Sequence, residues 1–308
     1  MRTIRLAYRD RDRLPMIECI REMAGRHYDI EVDVLRIQPT DEYEGALFDD
    51  SCDLLIEHLE FLYASAAGGA EVTMFCAPVE GTGIELMALA AVKDVAELRG
   101  RTIAVRSSGR PEAIYMRLKA AGLDPADTVL VADADVGRWG LWKKVVSGEC
   151  AAAFMSPLYM PAAEAAGLRV LAVPDLPLIG NFGHACLSRF AAENDGLMED
   201  YLRAVVHAIC LIKYRPAEAA GVVRAAPTTE AGGDDAELER RIGIMARTLQ
   251  TTPFPSVEAI ANTHAIAVAE EPASAGVDPH KLWDRRWVER LEGSGFIAGL
   301  VAELSAVG

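Results

Sequence analysis

The chain has 308 residues, 51% of them hydrophobic and 25% charged, a balance that suits a globular protein of one large or two medium domains. Its net charge of −15 argues against nucleic acid or an anionic membrane surface as a partner, so any anionic ligand needs a local cluster of donors. No run of about eighteen uninterrupted apolar residues is present, which excludes a membrane-spanning helix.

Taken in chain order, Ile4–Tyr8 alternates as a strand and leads into the charged run Arg9 to Arg13. No apolar run of signal-peptide length follows a basic start, so the expectation is a cytoplasmic chain; one whose leader had been removed would read the same. Met16–Ala24 is predicted as a helix, Ile30–Leu35 as a strand and Glu42–Leu47 as a short helix. The strand Leu54–Ile56, the helix Phe61–Ala67 and the strand Val72–Ala77 follow, then a long apolar run over Ile84–Ala91. Strands separated by helices continue through Val170–Ala172, the pattern of open α/β sheets. Beyond a last strand at Ala185–Ser188 the chain reads as helices only. These are a long one over Leu197–Tyr214, three more, and a tail from Lys281 to Val307. Six cysteines stand singly in apolar surroundings with no CxxC, which fits buried free thiols in a reducing compartment.

One segment is chemically richer than its neighbours. Ile103–Val105 is an apolar strand that runs through Arg106, Ser107, Ser108 and Gly109 into a helix beginning at Pro111. The first turn of such a helix leaves backbone N–H groups without partners, and Pro is suited to its first position. Small residues let a ligand approach the backbone, and Arg106 offers a forked donor for carboxylate, phosphate or sulfonate. An ordinary capped βα junction has the same outline.

Four segments resemble the type II periplasmic solute-binding superfamily, in the branch that holds taurine and sulfonate binders and the thiamine-pyrimidine synthases. They are Lys93-Asp94-Val95-Ala96-Glu97-Leu98-Arg99-Gly100-Arg101-Thr102-Ile103-Ala104-Val105, Val146–Phe154, Leu187–Phe190 with Leu202–Val205, and Trp287–Phe296. The resemblance implies an α/β fold of two lobes with a ligand cleft between them and a helical C-terminal region. Lobe one is expected to hold residues 1–86 and 184–308, and lobe two 87–183. Ligands in such sheets sit beyond the carboxyl ends of strands.

On that architecture the post-strand loops supply the candidates. Arg9, Asp10, Phe61, Thr82, Arg106, Ser107, Ser108, Met155, Tyr159 and Asn181 are the expected ligand contacts. Glu57 and His58 stand where plain binders of the superfamily place small residues, and a carboxylate beside an imidazole can exchange protons near neutral pH. His184 is expected to approach His58, which makes Glu57, His58 and His184 the catalytic candidates. A pocket that only hydrogen-bonds its ligand is the alternative reading. A metal site from Glu57, His58, Glu60 and His184 is disfavoured because adjacent residues on a tight turn rarely point the same way. Trp139 is read either as lining the cleft mouth or as core.

No GxGxxG follows the first strand, and there is no Walker lysine loop, GxSxG or HExxH, so no cofactor is expected. The cysteine-rich iron motif of the thiamine-pyrimidine synthases is also missing. Two functional classes remain. One is a cytoplasmic enzyme, similar to the dihydroxyphthalate decarboxylases, acting on a small anionic carboxylate by proton transfer through Glu57 and His58. The other is a binding protein that hands a sulfonate, taurine-like or aromatic acid to an ABC permease without chemistry. Enzyme is the first expectation.

Overall fold

The computed structural model describes residues 2–105, 111–132, 137–227 and 234–306. Arg106, Ser107 and Ser108, the expected anion anchor, lie outside the described residues, as does the side chain of Trp139. The chain forms two units, Met1–Glu80 with Leu178–Gly308, and Gly81–Pro177.

In chain order the first stretch holds β1 (Arg2–Tyr8), α1 (Leu14–Tyr28), β2 (Ile30–Arg36), α2 (Thr40–Gly45), β3 (Leu54–Glu57), α3 (Phe61–Ala67) and β4 (Val72–Cys76). The second unit holds β5 (Glu85–Leu89), β6 (Thr102–Val105), α4 (Pro111–Ala120), β7 (Val129–Ala132), α5 (Gly137–Val146), β8 (Ala152–Met155), α6 (Met160–Ala165) and β9 (Leu168–Val170). The return stretch starts with β10 (Gly183–Leu187), α7 (Ser188–Glu193) and α8 (Asp195–Tyr214). It ends with α9 (Pro216–Ala225), α10 (Asp235–Thr248), α11 (Val257–Glu270), α12 (Arg286–Gly293) and α13 (Phe296–Ser305).

Each unit is built on a five-stranded sheet. The first has the order β2-β1-β3-β10-β4, with β10 antiparallel to both its neighbours and the paired β1, β2 and β3 parallel. The second has the order β7-β6-β8-β5-β9, with β5 as its antiparallel member. The sheets therefore share one plan, in which a strand of reversed direction sits one place in from an edge.

Strand alternation sorts the first sheet's side chains onto two faces. Ile4, Leu6, Leu54 and Ile56 face a core made with α1, α8 and the C-terminal helices. Ala7, Leu55 and Ala185 face a second core with Tyr43, Leu59, Leu62 and Trp283. Helix α8 packs against α1, α9, α10, α12 and α13, which explains why more than half of its residues are buried and apolar.

The structure moves several expected boundaries. The first unit gives way to the second at Glu80/Gly81, ahead of the expected end at 86, because Glu85 and Leu86 pair with Met155 and Phe154 in the second sheet. The return to the first unit comes at Leu178, ahead of the expected 184. Strand β9 occupies Leu168–Val170 in place of the expected Val170–Ala172, since Gly167, at φ 91°, turns the chain straight out of α6. The expected helical tail divides into α12 and α13 at Gly295, which takes the left-handed conformation at φ 73°.

Candidate functional site

The parallel strands β1 and β3 end at Tyr8 and Glu57, and antiparallel β10 begins at Gly183, whose register partner is Glu57. Loops 9–13, 58–60 and 181–182 thus meet at one edge of the first sheet. The fit is tight: a Cβ on Gly183 would stand 2.7 Å from Leu59 Cδ1 and 3.2 Å from the Glu57 carbonyl oxygen. Only glycine fits there without displacement.

The Glu57 carboxylate is the centre of this edge, and its donors are already in place. Arg13 gives it two hydrogen bonds at Oε1, from Nε at 3.0 Å and Nη2 at 2.5 Å, while the Asp10 N–H donates to Oε2 at 3.0 Å. Both partners are buried, Glu57 at 1% exposure and Arg13 at 4%, and the guanidinium also stacks over Phe182 at 5.3 Å. A carboxylate held by three donors inside the protein is a structural anchor. The expectation that Glu57 acts as the proton-transfer group therefore meets a carboxylate that is already committed.

His58 is differently placed. Its side chain is 30% exposed, its Nε2 lies 3.8 Å from Glu57 Oε1, and its Nδ1 is buried with no hydrogen-bond partner among the described residues. Arg9 reaches across to α2, donating from Nη1 to Thr40 Oγ1 at 2.7 Å. Asp10 is used as a cap, accepting from the Asp12 N–H at 3.2 Å. Phe61 begins α3 and meets the edge of Tyr43, ring centroids 6.2 Å apart. Asn181 precedes Phe182 in the return loop. Burial pushes the Glu60 carboxyl up to about 8.

Other expected site residues are elsewhere. His184 faces the opposite side of the sheet with its register partners Ile56 and Cys76. It is fully buried, stacked on Phe75 at 5.9 Å and edge-on to Tyr201, and neither ring nitrogen has a hydrogen-bond partner among the described residues. Burial pulls its pKa down to about 3, so it is a neutral core imidazole where a catalytic partner of His58 was expected. Thr82, Met155 and Tyr159 belong to the second unit. The Thr82 hydroxyl is spent on Asp175 Oδ1 and Arg117 Nη1, at 3.0 and 2.7 Å. Met155 is buried in a core with Met87 and Leu141, and Tyr159 ends a short turn capped by Ser156.

Sequence reasoning missed Arg13, Tyr43 and Arg117. Arg13 is hidden in a run of charges that reads as solvated. Arg117 lies at 0% exposure on α4 and donates to the carbonyl oxygens of Ile84, Val173 and Pro174. Its signal was available, since Ala113, Ile114, Arg117 and Leu118 form one helical stripe and all four are buried. Among the described residues no group of three His, Cys, Asp or Glu side chains can hold a metal ion, and no helix is long and apolar enough to cross a membrane.

No protein-family model matches the chain, and no curated protein does. Solved structures do match over nearly its whole length. The periplasmic aliphatic sulphonate binding protein SsuA from Escherichia coli is 16% identical, with 91% of this chain and 97% of that one covered at a TM-score of 0.69. The alkanesulfonate-binding protein SsuA from Xanthomonas axonopodis pv. citri, solved with MOPS, is 15% identical, with 92% and 99% covered at 0.60. The desulfurization enzyme DSZB is 14% identical, with 96% and 99% covered at 0.61. The fold is the type II periplasmic-binding-protein-like fold that these solved structures share. Both binders and an enzyme are built on it.

Proposed function

We propose that the chain is a solute-binding protein for a small organic anion, a sulfonate or a carboxylate, which it delivers to an ABC-type permease without chemical change. The observation that carries this reading is the Arg13–Glu57 pair. It occupies the carboxylate that an acid–base mechanism needs and leaves the Arg9 guanidinium and the His58 imidazole as donors, with Phe61 and Asn181 proposed as further ligand contacts. Arg106, Ser107 and Ser108 remain proposed ligand contacts. The sulfonate-binding neighbours of this fold support the same ligand chemistry. A local cluster of donors also answers the net charge of −15, which repels anions everywhere else.

One observation favours a second reading. His58 is accessible and sits against a fixed carboxylate, an arrangement that suits a general acid or base, and DSZB shows that the fold supports an enzyme. The two readings differ in location: the enzyme suits a cytoplasmic chain, the binder an exported one. The test is calorimetric titration with ethanesulfonate, taurine and benzoate, followed by mass spectrometry of the incubated ligand. Saturable binding with the ligand recovered intact is the expected result. A mass change in the ligand would replace the binder with the enzyme, and no binding to any of the three would overturn both.

A further inference from the structure

Helix α2 carries a tyrosine, Tyr43, that the fold buries. Tyr43 is 2% exposed, and among the described residues its Oη has no hydrogen-bond partner. A buried hydroxyl left unmet costs free energy, and a bound water, ion or ligand is one way to meet it; what sets Tyr43 apart from other such groups is its surroundings.

The surroundings say which. Tyr43 packs in the core on the Ala7 and Leu55 face of the first sheet, and alternation along β1 and β3 carries that same face forward to Arg9 and Glu57. Its ring meets Phe61 edge to face, and α2 begins with Thr40, the residue that receives Arg9. The phenol lies within the electrostatic reach of Glu57, Arg9 and Arg13, and burial keeps it protonated, so it has a hydrogen to give. A second unmet polar atom, His58 Nδ1, belongs to the residue that touches Glu57 from the other side of the loop. Glu57 itself has no need of either, because Arg13 and Asp10 already supply it.

A phenol and an imidazole nitrogen without partners among the described residues, each close enough to feel a carboxylate that is already supplied, point to a shared guest. We infer that Tyr43 is a ligand-binding residue of this site, whose hydroxyl donates a hydrogen bond to the anion received by Arg9 and His58. The inference rests on the proposed binding function and adds a neutral donor to it. A phenol donor beside the Phe61 ring fits an anion with an apolar or aromatic body better than a bare inorganic ion.

The test compares wild type, Tyr43→Phe and Tyr201→Phe, titrated calorimetrically with ethanesulfonate and benzoate. Both substitutions keep the ring and delete one hydroxyl. Tyr201 is an equally buried tyrosine with an unpartnered hydroxyl, in the core on the other face of the same sheet, so it controls for general loosening. Expected is a loss of affinity of about tenfold in Tyr43→Phe alone, with a ligand-free melting temperature equal to or above wild type. Unchanged affinity in Tyr43→Phe would overturn the inference while leaving the binding function standing. So would an equal loss in both variants. If wild type bound neither probe, the binding function and the inference would fall together.

Discussion

Arg13 and Glu57 face each other inside the first unit in a doubly hydrogen-bonded ion pair, with the Arg13 guanidinium held under the Phe182 ring. Burying two charges is expensive, and the pair holds because each charge satisfies the other at short range. Removing one partner strands the other. Glu57→Leu and Arg13→Met should each cost about 3–5 kcal/mol of stability, whereas the double substitution Arg13→Met with Glu57→Leu should cost much less than their sum. Urea denaturation of the four proteins measures this coupling. Additive losses would mean that the two side chains do not depend on each other.

A second buried guanidinium does a different job. Arg117 ties the carbonyl oxygens of Ile84, Val173 and Pro174 together and holds Thr82 by its hydroxyl, all within the second unit. Its charge is balanced at longer range by Asp175 at 3.8 Å and Glu85 at 3.9 Å. Arg117→Met takes the guanidinium away from the Phe154 ring and leaves these acceptors unmet, at a cost of about 3 kcal/mol or more. Hydrogen exchange should show lost protection around residues 82–86 and 171–175, with strands β1 and β3 unaffected. Uniform loss across both units would contradict a local role.

Two groups give the stability a pH profile with two limbs. His184 has a folded pKa of about 3 against 6.5 in the open chain, so below pH 6.5 the unfolded chain takes up a proton that the folded chain refuses. Stability then falls as the pH drops towards 3, and His207, pulled down to about 4 by burial and by His27, acts in the same direction. Glu60 is the reverse case, with a folded pKa of about 8 against 4.5. Between these values the folded chain holds a proton that the unfolded chain has lost, so stability falls as the pH rises to 8. Each group contributes a slope of up to ~1.4 kcal/mol per pH unit. From 4.5 to 6.5 the two histidines oppose Glu60 and outweigh it. Urea midpoints should therefore decline from pH 6.5 to 8 and also below 6.5, more steeply below 4.5. Glu60→Gln should flatten the alkaline limb and His184→Leu the acid one; if neither limb moved, the burial of these groups would be wrongly assigned.

The strands were legible because their apolar alternation is set by the two-faced sheet, and the family segments carried the fold as a whole. The misplaced elements share a cause. At β9 and at the α12–α13 break a glycine in the left-handed conformation sets the boundary, and apolar periodicity does not register it. The site was half legible. Post-strand loops named Arg9, Asp10, Glu57, His58, Phe61 and Asn181, because a strand's direction fixes which loops share an edge. The missed residues are those whose environment contradicts their type. Arg13 is a buried member of a charged run. Tyr43 belongs to a six-residue helix too short to show a period. His184 was named but assigned to the wrong face, because it stands in a strand where only the register tells which face a side chain takes.

The last prediction concerns the residues left to hold the ligand. Arg9 and His58 are side chains of these post-strand loops that the Arg13–Glu57 pair does not consume. Arg9→Ala should weaken binding of ethanesulfonate by about tenfold to a hundredfold, since a charge-assisted bond to the anion is lost while the fold keeps its anchor. His58→Ala should weaken it less, and His58→Gln should recover part of the loss, because an amide can still donate a hydrogen bond but cannot carry the charge. Rising salt should weaken wild-type binding and leave Arg9→Ala nearly unchanged. Calorimetry at two ionic strengths measures all four proteins. If Arg9→Ala bound as tightly as wild type, the anion would have to be held elsewhere, and this edge of the sheet would lose its claim to be the site.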